Sequence, residues 1–98
     1  MPQNPAMHAR IAADALDRLV REVQTGRAEW THPHTARQAV EDLTRLAAAT
    51  ATALHQLAAA FATLAPGTTT PAAITTLHQA GQHTTTAATH LRQARRAL

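Results

Sequence analysis

Histidine is the residue type of this chain with the widest range of chemical roles, because the sequence contains seven His and neither Cys nor Tyr. Neutral imidazole is a common ligand of transition metals. His32 and His34 form one pair in a predicted connector, while His83 and His90 lie seven residues apart along a predicted helix. Neither pair has the i,i+4 spacing of a helical zinc site, and no Cys is available to complete tetrahedral ligation. The sequence therefore predicts no metal site and no cofactor.

Acidic residues and nucleophiles give no sign of catalysis. Glu41 and Asp42 form the adjacent acid pair of the chain, and Glu41 stands four residues before Arg45, as in an ordinary surface ion pair. No Gly-rich phosphate loop and no triad-like arrangement is present. We expect a protein that is not an enzyme.

Arginine is concentrated at the end of the chain, where Arg92, Arg95 and Arg96 form a basic cluster. An antiparallel hairpin would place Arg45 at the same end. Residues 43–98 contain these four Arg and no acid, and phosphate groups favour such contacts. Arg in a last helical turn also complements the helix dipole. The cluster therefore indicates an alternative function, a small Arg-dependent nucleic-acid-binding accessory protein, without being specific for it.

Residues 46–91 contain no Asp, Glu, Lys or Arg, and their polarity comes mainly from Thr, Gln and four His. A solvated helix normally carries charges on its outer face. So long an uncharged stretch predicts surfaces that another protein covers. Residues 46–65 are long enough to span a bilayer, but His55 and Gln56 at their centre would be costly in lipid. We expect no membrane insertion and, in the absence of an apolar signal segment, a cytoplasmic protein.

Periodicity and capping residues predict a single all-α domain over residues 1–98, with helices at about 5–25, 34–64 and 71–97. Asn4 with Pro5 and Thr70 with Pro71 are typical N-cap and first-turn pairs. The second helix is expected to start near Pro33 or Thr35, where Thr35 and Gln38 have capping-box spacing, and Gly26 favours a stop of the first helix. The second helix is expected to end at Ala65-Pro66-Gly67. The predicted fold is a short amphipathic helix followed by a long antiparallel hairpin.

Two heptad patterns predict the contact between the hairpin arms. The second helix repeats its large apolar residues strictly: Val40, Ala47, Leu54 and Phe61 at one position, and Leu43, Thr50, Leu57 and Leu64 at the other. The third helix repeats smaller residues: Ile74, Gly81, Ala88 and Arg95, and Leu77, Thr84, Leu91 and Leu98. Large side chains on one arm facing small ones on the other would interdigitate.

The hydrophobic content is too weak for a stable monomer, because 25 of the apolar residues are Ala. We therefore expect a homo-oligomer, with a dimer favoured, that completes the helical bundle and acts in protein–protein interaction. The residues expected to mediate self-association are Ala48, Ala59, Ala62, His83 and His90. Met7 and Ile11, outside the stripe of the first helix, form a possible patch for a protein partner. The histidines are expected to be solvated or to bond between helices; alternatively, protonation of His83 and His90 would weaken assembly below about pH 6.

Overall fold

The computed structural model describes residues 4–64 and 67–98, which form three helices without a strand in those ranges. The helices are α1 (Ala6–Gln24), α2 (Pro33–Leu64) and α3 (Pro71–Ala97). The predicted all-α class is confirmed, and each described boundary lies within one residue of its prediction. Ala65 and Pro66 of the predicted turn lie outside the described residues. The chain divides into two compact units, Met1–Pro33 and His34–Leu98, and each is described by itself.

The first unit contains α1, whose N-cap is Pro5, one residue later than the predicted Asn4. The Asn4 Oδ1 atom accepts a hydrogen bond of 3.0 Å from the amide of Ala6, which satisfies one of the free donors at the helix start. At the other end, Gly26 has φ +76°. The Arg27 amide donates to the Glu22 carbonyl at 2.9 Å, and the Gly26 amide donates to the Val23 carbonyl at 3.2 Å. This is a Schellman motif, and it requires the left-handed conformation that Gly adopts without strain.

The helix α1 itself has an apolar stripe but no buried residue. Ala12, Leu16, Leu19 and Val23 on this stripe are half-buried. Val20, which the pattern placed on the same stripe, keeps 51% of its surface exposed.

The second unit is an antiparallel hairpin of α2 and α3, as predicted. Glu41 near the start of α2 lies beside Arg95 near the end of α3. His55 in the middle of α2 packs on Gly81 in the middle of α3. From the first contact to the second, the residue number rises along α2 and falls along α3, so the two helices are antiparallel. The two contacts also fix the register of α2 against α3.

Small residues form the central contact of this hairpin. The buried positions of α2 are Thr44, Ala51 and Ala58, which repeat every seven residues. The buried positions of α3 are Gly81 and Ala88, in the row that the sequence predicted. Small side chains on both helices let the two backbones approach closely. The prediction for α2 is therefore wrong: its buried row is the small one, and the large heptad residues lie beside it.

Helix α2 begins at Pro33, the earlier of its two predicted starts, so Thr35 lies inside the helix and not at its N-cap. Helix α3 begins as predicted, because the Thr70 hydroxyl accepts a hydrogen bond of 3.1 Å from the Ala73 amide. The buried Thr44 hydroxyl donates to the Val40 carbonyl at 2.6 Å. Thr residues along α3 make the same bond to the carbonyl four residues earlier, and these are Thr76, Thr84, Thr85, Thr86 and Thr89. Their hydroxyl donors are thus satisfied within the helix.

Among the described helices, α2 has the length and apolar composition of a helix that could cross a bilayer. Its most apolar window has a mean hydropathy of 1.2, and 11% of that window is buried in the chain. The core helices of many soluble proteins share this composition. The low burial matters more here, since it shows how much of α2 remains uncovered.

Candidate interaction surfaces of the hairpin

The two sides of the hairpin are distinguished by the contact between His55 and His78. His55 stands four residues after the buried Ala51, and His78 stands three residues before the buried Gly81. Their Nδ1 atoms lie 3.1 Å apart. On either helix, a residue four positions after or three positions before a buried residue therefore lies on the same side as these two histidines. We call this side the histidine side. Positions three after or four before a buried residue lie on the opposite side of the same contact.

This opposite side carries the large apolar residues of both arms, and we call it the apolar side. It contains Leu54 and Phe61 of α2, together with Leu77, Thr84 and Leu91 of α3. Phe61 remains 41% exposed. Beyond it on α2, Leu57 is 48% exposed and Leu64 is 81% exposed. Leu54, Leu57, Phe61 and Leu64 follow the 3-4-3 spacing of a coiled-coil seam, and much of this seam faces solvent.

The four Arg of the predicted basic cluster are brought together at the end of the hairpin. Arg45, Arg92, Arg95 and Arg96 line an open depression of about 710 Å³ between α2 and α3. Gln38, Glu41, Asp42, Thr44 and Ala48 complete its lining. The depression thus contains four positive and two negative side chains.

The ion pairs in this depression differ from the predicted one. Glu41 lies 3.8 Å from the Arg95 Nε atom on the other helix, while Arg45 lies 3.7 Å from Asp42. The expected pair of Glu41 with Arg45 is therefore wrong, because the antiparallel arm presents a nearer cation. The Arg95 Nε atom is buried and makes no hydrogen bond to any part of the chain that the structure describes. Both pairs are long and at least partly solvated, so each contributes little to stability.

The histidine side centres on the pair His55 and His78. Their ring centroids lie 5.3 Å apart, with the ring planes inclined at 32°. The opposite edge of the His55 ring packs on Gly81: its Cε1 and Nε2 atoms lie 2.7 and 2.8 Å from the position that a Cβ would take. Only glycine leaves room for the ring in this position. The absence of a side chain at 81 therefore helps to set the orientation of His55.

The residues predicted for self-association do not share one surface. Ala48 is half-buried at the edge of the Arg-lined depression. Ala59 and Ala62 are exposed on α2. His83 and His90 each follow a buried residue of α3 by two positions, and both are exposed, facing away from α2. In the first unit, Met7 and Ile11 are exposed by 65% and 58%, and they lie one helical turn apart on α1.

Two features of these surfaces differ from what the sequence pattern predicts. The exposed seam residues Leu57, Phe61 and Leu64 were assigned to the hairpin contact, although the alternative row of small residues at 44, 51 and 58 has the same heptad spacing. The pair of His55 and His78 spans 23 residues, and only the register of the two arms could have revealed it.

No cluster of three or more His, Asp or Glu suited to a metal occurs within residues 4–64 and 67–98. Comparison with known proteins gives no relative: no family, curated protein or solved structure matches the chain.

Proposed function

We propose that this chain is a non-catalytic helical module that self-associates, as a homodimer, through the apolar side of its hairpin. The observation that carries the proposal is the position of the α2 seam. The contact between the arms uses the small residues Ala51 and Ala58, and leaves Leu57 and Phe61 exposed by 48% and 41%. A seam with heptad spacing is suited to packing against another helix of the same kind.

The interior of the hairpin gives a second reason for a partner. The buried apolar residues of the described chain are Ala51, Ala58 and Ala88, and no large side chain is fully buried. Alanine contributes little apolar area, whereas covering the exposed part of a Leu or Phe stabilises by roughly 1 kcal/mol. A second copy would bring a second seam, so each such contact would count twice by symmetry.

The distribution of charge agrees with this arrangement. Residues 46–91 carry no Asp, Glu, Lys or Arg, so covering the middle of the hairpin requires no desolvation of those charged groups. The charged groups of the second unit lie at the end of the hairpin that contains Glu41 and Arg95, away from Phe61. An interface centred on Phe61 would therefore be apolar with its charges outside.

The proposal is tested by the mass of the protein in solution, from light scattering coupled to size-exclusion chromatography at micromolar concentration. We expect a dimer for the natural chain and a monomer for the double variant Leu57→Gln/Phe61→Gln. The matched control is Ala59→Gln/Ala62→Gln, which adds the same amide groups to two exposed positions of the same helix. This control is expected to remain a dimer.

Two results would contradict the proposal. A natural chain that stays monomeric up to about 100 µM, well above the micromolar range of weak specific complexes, would exclude self-association as its function. A dimer that survives Leu57→Gln/Phe61→Gln but dissociates in Ala59→Gln/Ala62→Gln would place the interface on the alanine face instead. Circular dichroism of each variant establishes that the helices are retained.

The depression lined by Arg favours one second candidate, a nucleic-acid-binding accessory function. The structure brings Arg45 beside Arg92, Arg95 and Arg96, which are distant in sequence. Phosphate binding by such a cluster weakens steeply with salt.

The test of this second candidate is a fluorescence-anisotropy titration of DNA and RNA oligonucleotides at low and moderate salt. Arg92→Ala/Arg95→Ala/Arg96→Ala is compared with Arg10→Ala/Arg18→Ala/Arg21→Ala, which removes equal charge from α1. Equal weakening by both variants, or no binding at low salt, would exclude a specific site.

A further inference from the structure

The facing nitrogens of His55 and His78 have the separation of two ligands on one metal ion. The two Nδ1 atoms lie 3.1 Å apart. Imidazole nitrogens bind zinc at about 2.0–2.1 Å, so two of them lie about 3.3 Å apart in a tetrahedral site and about 2.9 Å apart at a right angle. The observed separation falls between these two values. An ion could therefore bind both nitrogens with little movement of either helix.

The surroundings of the pair hold the His55 ring in a suitable orientation. The ring edge formed by Cε1, Nε2 and Cδ2 packs on the backbone at Gly81, and the Nδ1 atom on the other edge faces His78. Ligands that are already oriented lose less entropy when the ion binds. No Asp, Glu, Lys or Arg occurs between residues 46 and 91, so no such residue of that segment competes for the two imidazoles as an ion-pair partner.

We propose that His55 and His78 form a two-imidazole site, bridging α2 and α3, for a divalent transition-metal ion that prefers nitrogen ligands, such as Zn²⁺, Ni²⁺ or Cu²⁺. In the metal-bound chain each ring binds through Nδ1 and carries its single proton on Nε2. In the metal-free chain, one Nδ1–H donates to the other Nδ1, and metal binding moves that proton to Nε2 of the same ring. No net proton is lost. The remaining coordination positions are filled by water, because the described residues supply no third His, Asp or Glu there.

This proposal explains two histidines that self-association does not use, since they lie on the side of the hairpin opposite the seam. It also changes the expectation drawn from the sequence. The prediction of no metal site rested on two histidine pairs that are close in sequence, one in the connector and one in the third helix, and on the absence of Cys. The pair of His55 and His78 instead joins two different helices. We expect this site to bind Cu²⁺ more tightly than Ni²⁺ or Zn²⁺.

The test is a titration of the full chain, prepared without a polyhistidine tag and freed of metal with EDTA, with the chloride of each metal alone. Calorimetry is expected to give one ion per chain, and thermal melting should show a rise in Tm, because the ion binds only when both arms are in place. His55→Gln and His78→Gln should each weaken Cu²⁺ binding at least tenfold. His83→Gln/His90→Gln and His32→Gln/His34→Gln are the controls, and both should bind as the natural chain does.

A spectroscopic measurement keeps the test independent of whether a variant folds well. In the natural chain, substoichiometric Cu²⁺ should broaden the imidazole NMR signals of His55 and His78 before those of the other five histidines. Broadening that begins at His32 and His34, or at all seven together, would overturn the proposal. So would equal Cu²⁺ affinity in the natural chain and in a folded His55→Gln variant.

Discussion

His55 packs so closely on Gly81 that a methyl group at position 81 would lie 2.7 Å from the nearest ring carbon. Gly81→Ala in the natural chain should therefore destabilise the hairpin by roughly 1–3 kcal/mol, as expected for an overpacked contact. With His55→Ala in the same chain, the space is free, and Gly81→Ala should instead stabilise by about 0.5–1 kcal/mol through its higher helix propensity.

This reversal of sign is measured by urea unfolding of the four chains in a double-mutant cycle. Gly67→Ala serves as a control, since among the described residues no atom outside its two chain neighbours lies within 4 Å of a Cβ built there. A Gly81→Ala variant that is more stable than the natural chain in the presence of His55 would show that the ring moves away at little cost.

The N-cap of α3 provides a second prediction. The Thr70 hydroxyl accepts a hydrogen bond from the Ala73 amide, so Thr70→Ala should reduce the free energy of unfolding by about 1 kcal/mol. Thr76→Ala is the matched control: Thr76 is exposed, and its hydroxyl donates back to the Ala72 carbonyl within the helix. That change should stabilise by a few tenths of a kcal/mol, because Ala has the higher helix propensity. Equal effects at the two positions, measured by urea unfolding, would contradict the capping role.

The ion pair between Glu41 and Arg95 is expected to contribute little. Its atoms are 3.8 Å apart and its side chains are 51% and 39% exposed, and such pairs are worth less than about 1 kcal/mol. Arg95 continues the row that includes Gly81 and Ala88. Arg95→Leu should therefore leave stability unchanged or raise it by up to about 1 kcal/mol. Arg96→Leu, at an exposed neighbour, is the control. A loss above about 2 kcal/mol for Arg95→Leu would reveal a stronger network than the distances indicate.

Self-association through the seam also predicts a thermal stability that depends on protein concentration. If the dimer forms as proposed, the Tm of the natural chain should rise as the concentration is increased from about 1 to 100 µM. Phe61→Ala should remove this dependence, because its ring is the largest exposed group of the seam. A Tm that is constant for both proteins would count against dimerisation in this range.

Local chemistry made the helix ends predictable. Asn4, Gly26 and Thr70 each act through atoms within a few residues of themselves, so the sequence contains all that determines those ends. The start of α2 was predicted at Pro33 or Thr35, and the helix begins at Pro33, which is an acceptable first helical residue. A capping pattern is informative only when no earlier start is available.

The packing of α2 was harder to predict, because two rows with the same heptad spacing compete. The row of large residues at Leu54 and Phe61 is the usual choice for burial. The row at Ala51 and Ala58 is buried instead, since Gly81 and Ala88 on the facing helix favour close approach of the backbones. Which row wins depends on the partner helix, and a single helical pattern cannot contain that information. The pair of His55 and His78 was hidden for the same reason.

Equal intervals separate the contacts along the two arms. From Glu41 to His55 and from Gly81 to Arg95, the chain advances fourteen residues in each case. The hairpin can therefore be lengthened or shortened without losing its alignment when both arms change by the same multiple of seven. An insertion in one arm that the other arm does not match would turn that helix about its axis. Bulkier side chains would then replace the buried alanines in the contact between α2 and α3. Arm length in a protein of this design should consequently vary in paired heptads.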